Sequence, residues 1–244
     1  MCELFERTVI TNGCEVWGFS KIEQLDVFQR RFIRRILMLP KGTACCMLYG
    51  ETGLQKISKF VDLRMLSYWY RIVNGKQSRI CNILYKLARA LHENDQSNYE
   101  SQWIAHVKTL LDRSGYGEMW FNGNTPLTEK HYKHLLKQRW DDIWRQEWRN
   151  DVMQHRDCAN YRIFKTEPTL EPYLKHLSKA KCKTLARFRC RGSKLPIAQW
   201  KFAQGSPLPV CSQCNLGAVA DEFHILLECR KFYEIRQHLL ILTT

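Results

Sequence analysis

The sequence predicts a mainly α-helical, multi-helix domain followed by a small zinc-stabilised C-terminal module. Three observations predict it. Apolar residues recur at helical intervals through most of the 244 residues. Alternating strand patterns are few, and a Cys-x2-Cys-x9-His-x4-Cys motif runs from Cys211 to Cys229. The expected division is a helical region over residues 1–165 and a basic helix plus metal motif over 166–244.

The first clear helix is expected between Ser20 and Pro40. Ser20 and Glu23 have capping-box spacing, and the proline ends the run. Leu25, Phe28, Phe32 and Ile36 share its apolar face, while Arg30, Arg31, Arg34 and Arg35 fall mostly elsewhere. Thr43 opens a short helix that stops near Gly50 and Gly53. A third carries Val61, Met65, Tyr68, Trp69 and Ile72 on one face and stops at Gly75. Ser78 opens a fourth, with Ile80, Leu84, Leu87 and Leu91 as its apolar face. Residues 93–101 are polar and read as a loop. A fifth helix covers about 102–111 and ends before Gly115 and Gly117. After a Gly-Asn-Thr-Pro turn at 123–126, a long helix runs from about 127 to 149. Its Trp140, Trp144 and Trp148 share a face and read as core. Residues 150–172 read as irregular. Another helix runs from Glu171-Pro172 to about Arg189, and Gly192 and Pro196 break it.

Hydrophobic residues make up 45% of the chain and charged residues 25%, the composition of a folded protein rather than a disordered one. The 38 Lys+Arg exceed the 24 Asp+Glu and leave a net charge of +14, which favours an anionic partner, nucleic acid first. No apolar stretch approaches the roughly 20 residues that span a bilayer, so no membrane partner is expected. No export signal is read at the N-terminus. The 11 cysteines are odd in number and mostly scattered, so reduced thiols in the nucleus or cytoplasm are expected rather than a disulfide framework.

Cys211, Cys214, His224 and Cys229 alone have metal-ligand spacing. Three thiolates and one imidazole form a standard structural zinc set, with Cys-x2-Cys supplying two ligands from one turn. His224 and Cys229 are five apart, about 140° around an ideal helix. The chain must therefore turn or unwind between them, or His224 must precede the helix. The competing reading is four buried side chains without metal. One structural Zn2+ is expected, and four protein ligands leave no open position for hydrolysis. A zinc deaminase would need His-x-Glu ahead of the cysteines, and none occurs.

Between Glu171 and Asp221 there is no acidic residue, while the stretch holds nine cations: Lys175, Lys179, Lys181, Lys183, Arg187, Arg189, Arg191, Lys194 and Lys201. Phe188 and Trp200 are interleaved and suited to stack on bases while the cations meet phosphates. A solvated basic helix face is the alternative. The pair Asp141-Asp142 lies in a helical pattern rather than a hairpin, so it reads as exposed helix acids and not as a polymerase carboxylate pair. His131 and His134 share a turn without further ligands nearby. There is no phosphate loop of the Gly-x4-Gly-Lys-Ser/Thr type and no Gly-x-Ser-x-Gly elbow, so neither catalysis nor a small-molecule substrate is expected.

Several segments together resemble the C-terminal region of non-LTR (LINE-type, jockey-like) retrotransposon reverse transcriptase polyproteins. They are Asn-Gly-Cys-Glu-Val-Trp-Gly-Phe at 12–19, Phe-Gln-Arg-Arg-Phe-Ile-Arg-Arg-Ile-Leu at 28–37 and Tyr-Gly-Glu-Thr-Gly at 49–53. Glu-Pro-Tyr-Leu at 171–174, Ala-Arg-Phe-Arg at 186–189 and Asp-Glu-Phe-His-Ile-Leu-Leu-Glu-Cys at 221–229 continue the series. The resemblance covers nearly the whole chain. It implies that residues 1–165 follow a polymerase palm and thumb, and that the tail holds element RNA, single-stranded DNA or target DNA during target-primed reverse transcription. The polymerase motif and endonuclease of such polyproteins are absent here, so the resemblance implies a non-catalytic fragment whose upstream polymerase domain is a missing partner. Apolar faces that packed on it are then expected at the surface. A zinc-stabilised helical module that binds a protein partner is the alternative function.

Overall fold

The computed structural model describes residues 10–20, 22–94, 101–122, 127–193, 195–200 and 207–241. Among them the chain is mainly helical. Its only extended pairings there are two isolated antiparallel bridges, Thr52 with Leu170 and Val210 with Val219. The longer helices are α1 Ile22–Leu37, α2 Cys45–Thr52, α3 Ile57–Val73, α4 Ile80–Glu93, α5 Gln102–Ser114, α6 Glu129–Gln154, α7 Lys179–Arg189 and α8 Tyr233–Ile241. The expected loop at 95–100 and turn at 123–126 lie outside the described residues. The helices build two compact units that interleave along the chain and so do not follow a 165/166 boundary: Met1–Gln29 with Gln55–Gln146, and Arg30–Leu54 with Glu147–Thr244.

In the first unit α3 is the central element. Ile57, Val61, Met65, Leu66, Trp69, Tyr70 and Val73 are buried, together with Ile104, Val107, Leu110 and Leu111 of α5 and Tyr132, Leu136 and Trp140 of α6. Tyr70 stacks on Tyr132 with ring centroids 4.4 Å apart. The N-terminus of α3 has no side-chain cap from its own Lys56. Asp26 of α1 supplies one instead, accepting from the Ser58 N–H at 3.0 Å and the Ser58 hydroxyl at 2.7 Å.

That borrowed cap corrects the expected face of α1. Asp26 and Gln29 are buried, followed by Ile33 and Leu37, while Phe28 and Ile36 are exposed. Polar residues take the inner face because each finds a partner there: Gln29 Nε2 donates to the Gln55 carbonyl at 3.0 Å. The start of α1 also differs, since the Ser20 hydroxyl donates back to the Trp17 carbonyl.

A larger correction concerns α4. Its expected apolar face of Ile80, Leu84, Leu87 and Leu91 is exposed, and Asn82 and Tyr85 are buried. Hydrogen bonds set this rotation. Asn82 Nδ2 donates to the Ile72 carbonyl at 2.8 Å, and Tyr85 Oη accepts from Trp69 Nε1 at 3.0 Å. Arg79 rather than Ser78 occupies the N-cap position.

In the second unit α2 is buried from Cys46 to Glu51. Its N-cap is Ala44, not Thr43, and it has no side-chain cap. Gly50 is required by close approach: a Cβ there would stand 2.4 Å from Tyr161 Oη and 2.9 Å from the Trp148 ring. Gly53 ends the helix in the left-handed region at φ 65°, its N–H donating to the Tyr49 carbonyl. Glu51 carries a fully buried carboxylate. Arg189 donates to it through Nε at 2.9 Å and Nη2 at 3.0 Å, and Tyr173 Oη donates at 2.5 Å. Glu171 pairs with Arg189 at 3.0 Å and also with Lys165, so the buried charges are matched on every side.

The single helix expected over 171–189 is two. Tyr173–His176 is a short turn, and Ser178 restarts the chain as the N-cap of α7. The Cys182 thiol bridges the break by donating to the Tyr173 and Leu177 carbonyls at 3.2 and 3.3 Å. The stretch 150–172, expected to be irregular, carries the end of α6 and the turn Tyr161–Phe164, and α8 and Pro196–Trp200 are further helices the periodicity did not indicate.

Candidate metal centre and basic surface

Two short pieces of backbone build the cysteine–histidine cluster. In the first, the Cys211 N–H donates to the Ala218 carbonyl and the Ala220 N–H to the Pro209 carbonyl, which pins a narrow loop around Val210 and Val219. Gly217, at φ 64°, makes the turn. Inside the loop the Gln213 N–H points at Cys211 Sγ, 3.4 Å away, which orients the first thiol. In the second piece Asp221 Oδ1 accepts the His224 N–H at 2.8 Å and caps the helical turn that carries the histidine.

The five-residue step from His224 to Cys229 is solved by a π-type turn over His224–Glu228, closed by the Cys229 N–H on the His224 carbonyl at 2.7 Å. An α-helix would set the two side chains on different faces. The wider i→i+5 turn brings them toward the same side.

Cys211, Cys214, His224 and Cys229 thus converge, with one potential ligand atom from each lying within 4.8 Å of all the others. Cys211 Sγ and Cys229 Sγ are 3.9 Å apart, and Cys214 Sγ lies 3.3 Å from His224 Nε2. Cys211, His224 and Cys229 are buried, and Cys214 is half-buried. This cluster can hold a metal ion. The other histidine nitrogen, Nδ1, faces Glu228 Oε2 at 3.3 Å, the kind of outer contact that fixes the tautomer of a ligating imidazole.

Burial pushes the Cys211 thiol up, but the Gln213 N–H, His224 and the neighbouring thiols outweigh it and bring the group down to about 7. Burial likewise opposes protonation of His224, yet Cys211, Glu228 and Cys214 together raise its pKa. Cys229 is raised, by burial first. A cation held here would displace the thiol protons, since thiols bind metal as thiolates and histidine as neutral imidazole.

Support for the cluster comes from residues with no metal chemistry of their own. Asn160 Nδ2 donates to Asp221 Oδ2 at 3.2 Å and Glu222 Oε2 at 3.1 Å, tying the capping turn to the helical part of its unit. Arg236 of α8 donates to the Cys229 carbonyl at 2.7 Å and to the Ile225 and Leu226 carbonyls at 3.4 Å, groups that the π-type turn leaves open. Ala220, Ile225 and Phe232 pack around the thiols. The motif alone names four residues. Asp221, three before His224 as an N-cap should be, and Glu228, four after it, had a spacing signal, whereas Asn160 and Arg236 had none.

The basic residues ahead of the cluster divide into two kinds. Lys175, Lys179 and Lys181 are exposed, and Lys183 is half-buried. Arg189 is committed to Glu51 and Glu171 and stacks on the Phe164 ring at 4.5 Å, so it belongs to the interior rather than to a phosphate surface. Arg191 pairs with Asp157 at 3.4 Å and donates to the Ile197 carbonyl, while Arg187 Nε donates to the Gly192 carbonyl. These arginines shape the turn after α7, at whose end Arg191 itself has φ 52°. Trp200 is half-buried at the end of Pro196–Trp200. Lys194 and Lys201 lie outside the described residues.

Charge is distributed unevenly between the units. The one that holds the cysteine–histidine cluster has 21 Lys and Arg against 10 Asp and Glu; the other has 17 against 14. Asp141 is held by Lys59 at 2.6 Å and Gln55 at 3.0 Å, a structural ion pair more enclosed than the exposed helix acid expected. Among the described residues no helix is long and apolar enough to cross a membrane. Comparison with known protein families, with curated proteins and with solved structures found no match.

Proposed function

We propose that the chain is a non-catalytic nucleic-acid-binding protein whose second unit holds a single strand of RNA or DNA, with one structural zinc ion keeping the C-terminal module in shape. The observation that carries this reading is the charge partition: 21 cations against 10 acids in the cluster-bearing unit, with the acid-free stretch 172–220 inside it. Lys175, Lys179, Lys181 and Lys183 are the phosphate contacts, and Trp200 the stacking group. Arg189, Arg191 and Arg187 are engaged by groups of their own unit and are not counted among the phosphate contacts.

Zinc is the ion that suits the donors, since three thiolates and one imidazole are soft to borderline ligands. A tetrahedron with Zn–S of about 2.3 Å has edges near 3.8 Å, and the 3.9 Å between Cys211 and Cys229 fits it. With four protein ligands the ion has no open position, so its role is to add folding energy. The resemblance to the tail of non-LTR retrotransposon polyproteins supports the same reading and makes element RNA or target DNA the natural ligand.

Fluorescence anisotropy with a single-stranded RNA oligonucleotide, titrated from low to high salt, tests the proposal. Three to four lysine–phosphate contacts predict a slope of log affinity against log salt between about −2 and −3. An affinity that stays flat as salt rises would overturn it.

A further inference from the structure

Helix α4 turns its apolar side outward. Ile80, Ile83, Leu84, Leu87 and Leu91 all face solvent, Ile80 being 71% exposed and Leu87 56%. They recur at i, i+3, i+4, i+7 and i+11, the spacing with which one helix seats against another. The inner side is fixed by the hydrogen bonds of Asn82 and Tyr85, so the stripe cannot roll inward without breaking them.

The stripe has two unlike edges. Along one it borders a groove of about 400 Å³ whose walls include Val16, Phe19, Leu84, Ala88 and Trp103. Along the other stand Arg79 and Lys86, seven residues apart and both exposed. Glu93, the acid of this helix, is already engaged by Arg89 and by Trp120 Nε1.

We propose that this face of the first unit docks an amphipathic helix of another protein, one with a leucine-rich ridge and a row of Asp or Glu along one side. The ridge fills the groove beside Leu84 and Ala88, and the acidic row meets Arg79 and Lys86. A second copy fits less well. Antiparallel self-pairing would set the basic edge against itself, and parallel self-pairing would set it against the apolar wall of the groove. A bilayer surface would leave the groove unfilled. The proposal stands apart from nucleic-acid binding, which uses the other unit.

The test uses the full chain and two helical peptides of roughly four turns with the same leucine ridge, one edged with Glu and the other with Lys. The Glu-edged peptide is expected to bind at least about ten-fold more tightly. Leu87→Asp, at an exposed position, should lower that affinity about ten-fold or more while circular dichroism stays unchanged. Arg79→Glu with Lys86→Glu should reverse the preference between peptides. Three results overturn the proposal: equal or absent binding of the two peptides; self-association by sedimentation equilibrium that Leu87→Asp abolishes, which assigns the face to a second copy; or Leu87-dependent binding to phosphatidylserine vesicles without peptide binding, which assigns it to a membrane.

Discussion

Asp141 shows how single charges are used in the first unit. Burial pushes its carboxyl up, but the hydrogen bonds from Lys59 and Gln55 and the Lys59 charge outweigh that and hold it below the ordinary carboxylate range. A depressed folded-state pKa contributes stability above the unfolded value, and the contribution disappears as pH falls through the folded value. Asp141→Asn is therefore expected to cost about 1–3 kcal/mol at pH 7, because the carboxylate charge 2.6 Å from the buried Lys59 ammonium is removed. The gap from the parent chain should close as pH falls through the depressed folded-state value of Asp141, below the ordinary carboxylate range, which urea melts across a pH series would read. Arg189 and Lys179 make a contrasting pair. Arg189→Met should destabilise the second unit by about 3–5 kcal/mol by leaving Glu51 uncompensated. Lys179→Ala should leave stability within about 0.5 kcal/mol yet reduce the salt slope of RNA binding by about 0.7. A composition count treats those two cations alike; only the buried carboxylate of Glu51, 138 residues from Arg189 in sequence, separates them.

Helices were legible where apolar residues repeat, but the face each one buries was legible only where burial and hydrogen bonding agree. In α3 and α6 they largely agree: Val61, Met65, Trp69, Trp140, Trp144 and Trp148 are inside as their spacing indicates, while Tyr68 and Ile72 of the expected α3 face are half-buried. In α1 and α4 they conflict. Asp26, Gln29, Asn82 and Tyr85 have partners waiting on neighbouring segments, and those partners cannot be seen from within the helix. A strong hydrophobic stripe therefore marks an amphipathic helix without saying which way it points. The break at 177–178 is hidden for a similar reason, since the Cys182 thiol, a weak donor, bridges two carbonyls there. The close packing of α2 gives a prediction at this scale. Gly50→Ala would press on Tyr161 and Trp148 and should cost about 1–3 kcal/mol in a denaturant melt. Cys45, exposed on the same helix, should accept Ala within about 0.5 kcal/mol.

For the whole molecule, the four residues Cys211, Cys214, His224 and Cys229 were the part of the site most plainly written in the sequence, because ligand chemistry restricts both residue type and spacing. The unit they belong to was not. Residues 30–54 join the C-terminal part of the chain through α2, and that gathering rests on long-range contacts such as Trp148 Nε1 on the Cys46 carbonyl, 102 residues away. Net charge raised the expectation of an anionic partner, and this grouping concentrates the excess in one unit. In the proposed role the metal is a local clip: its ligands would span 19 residues, which Asn160 and Arg236 tie to their own unit. Amide hydrogen exchange on the zinc-loaded chain, repeated after chelation and on Cys211→Ser, tests this most directly. Protection is expected to fall over residues 207–241 and to be retained in α3 and α5. Loss of protection spread evenly along the chain, or no change over 207–241, would contradict it.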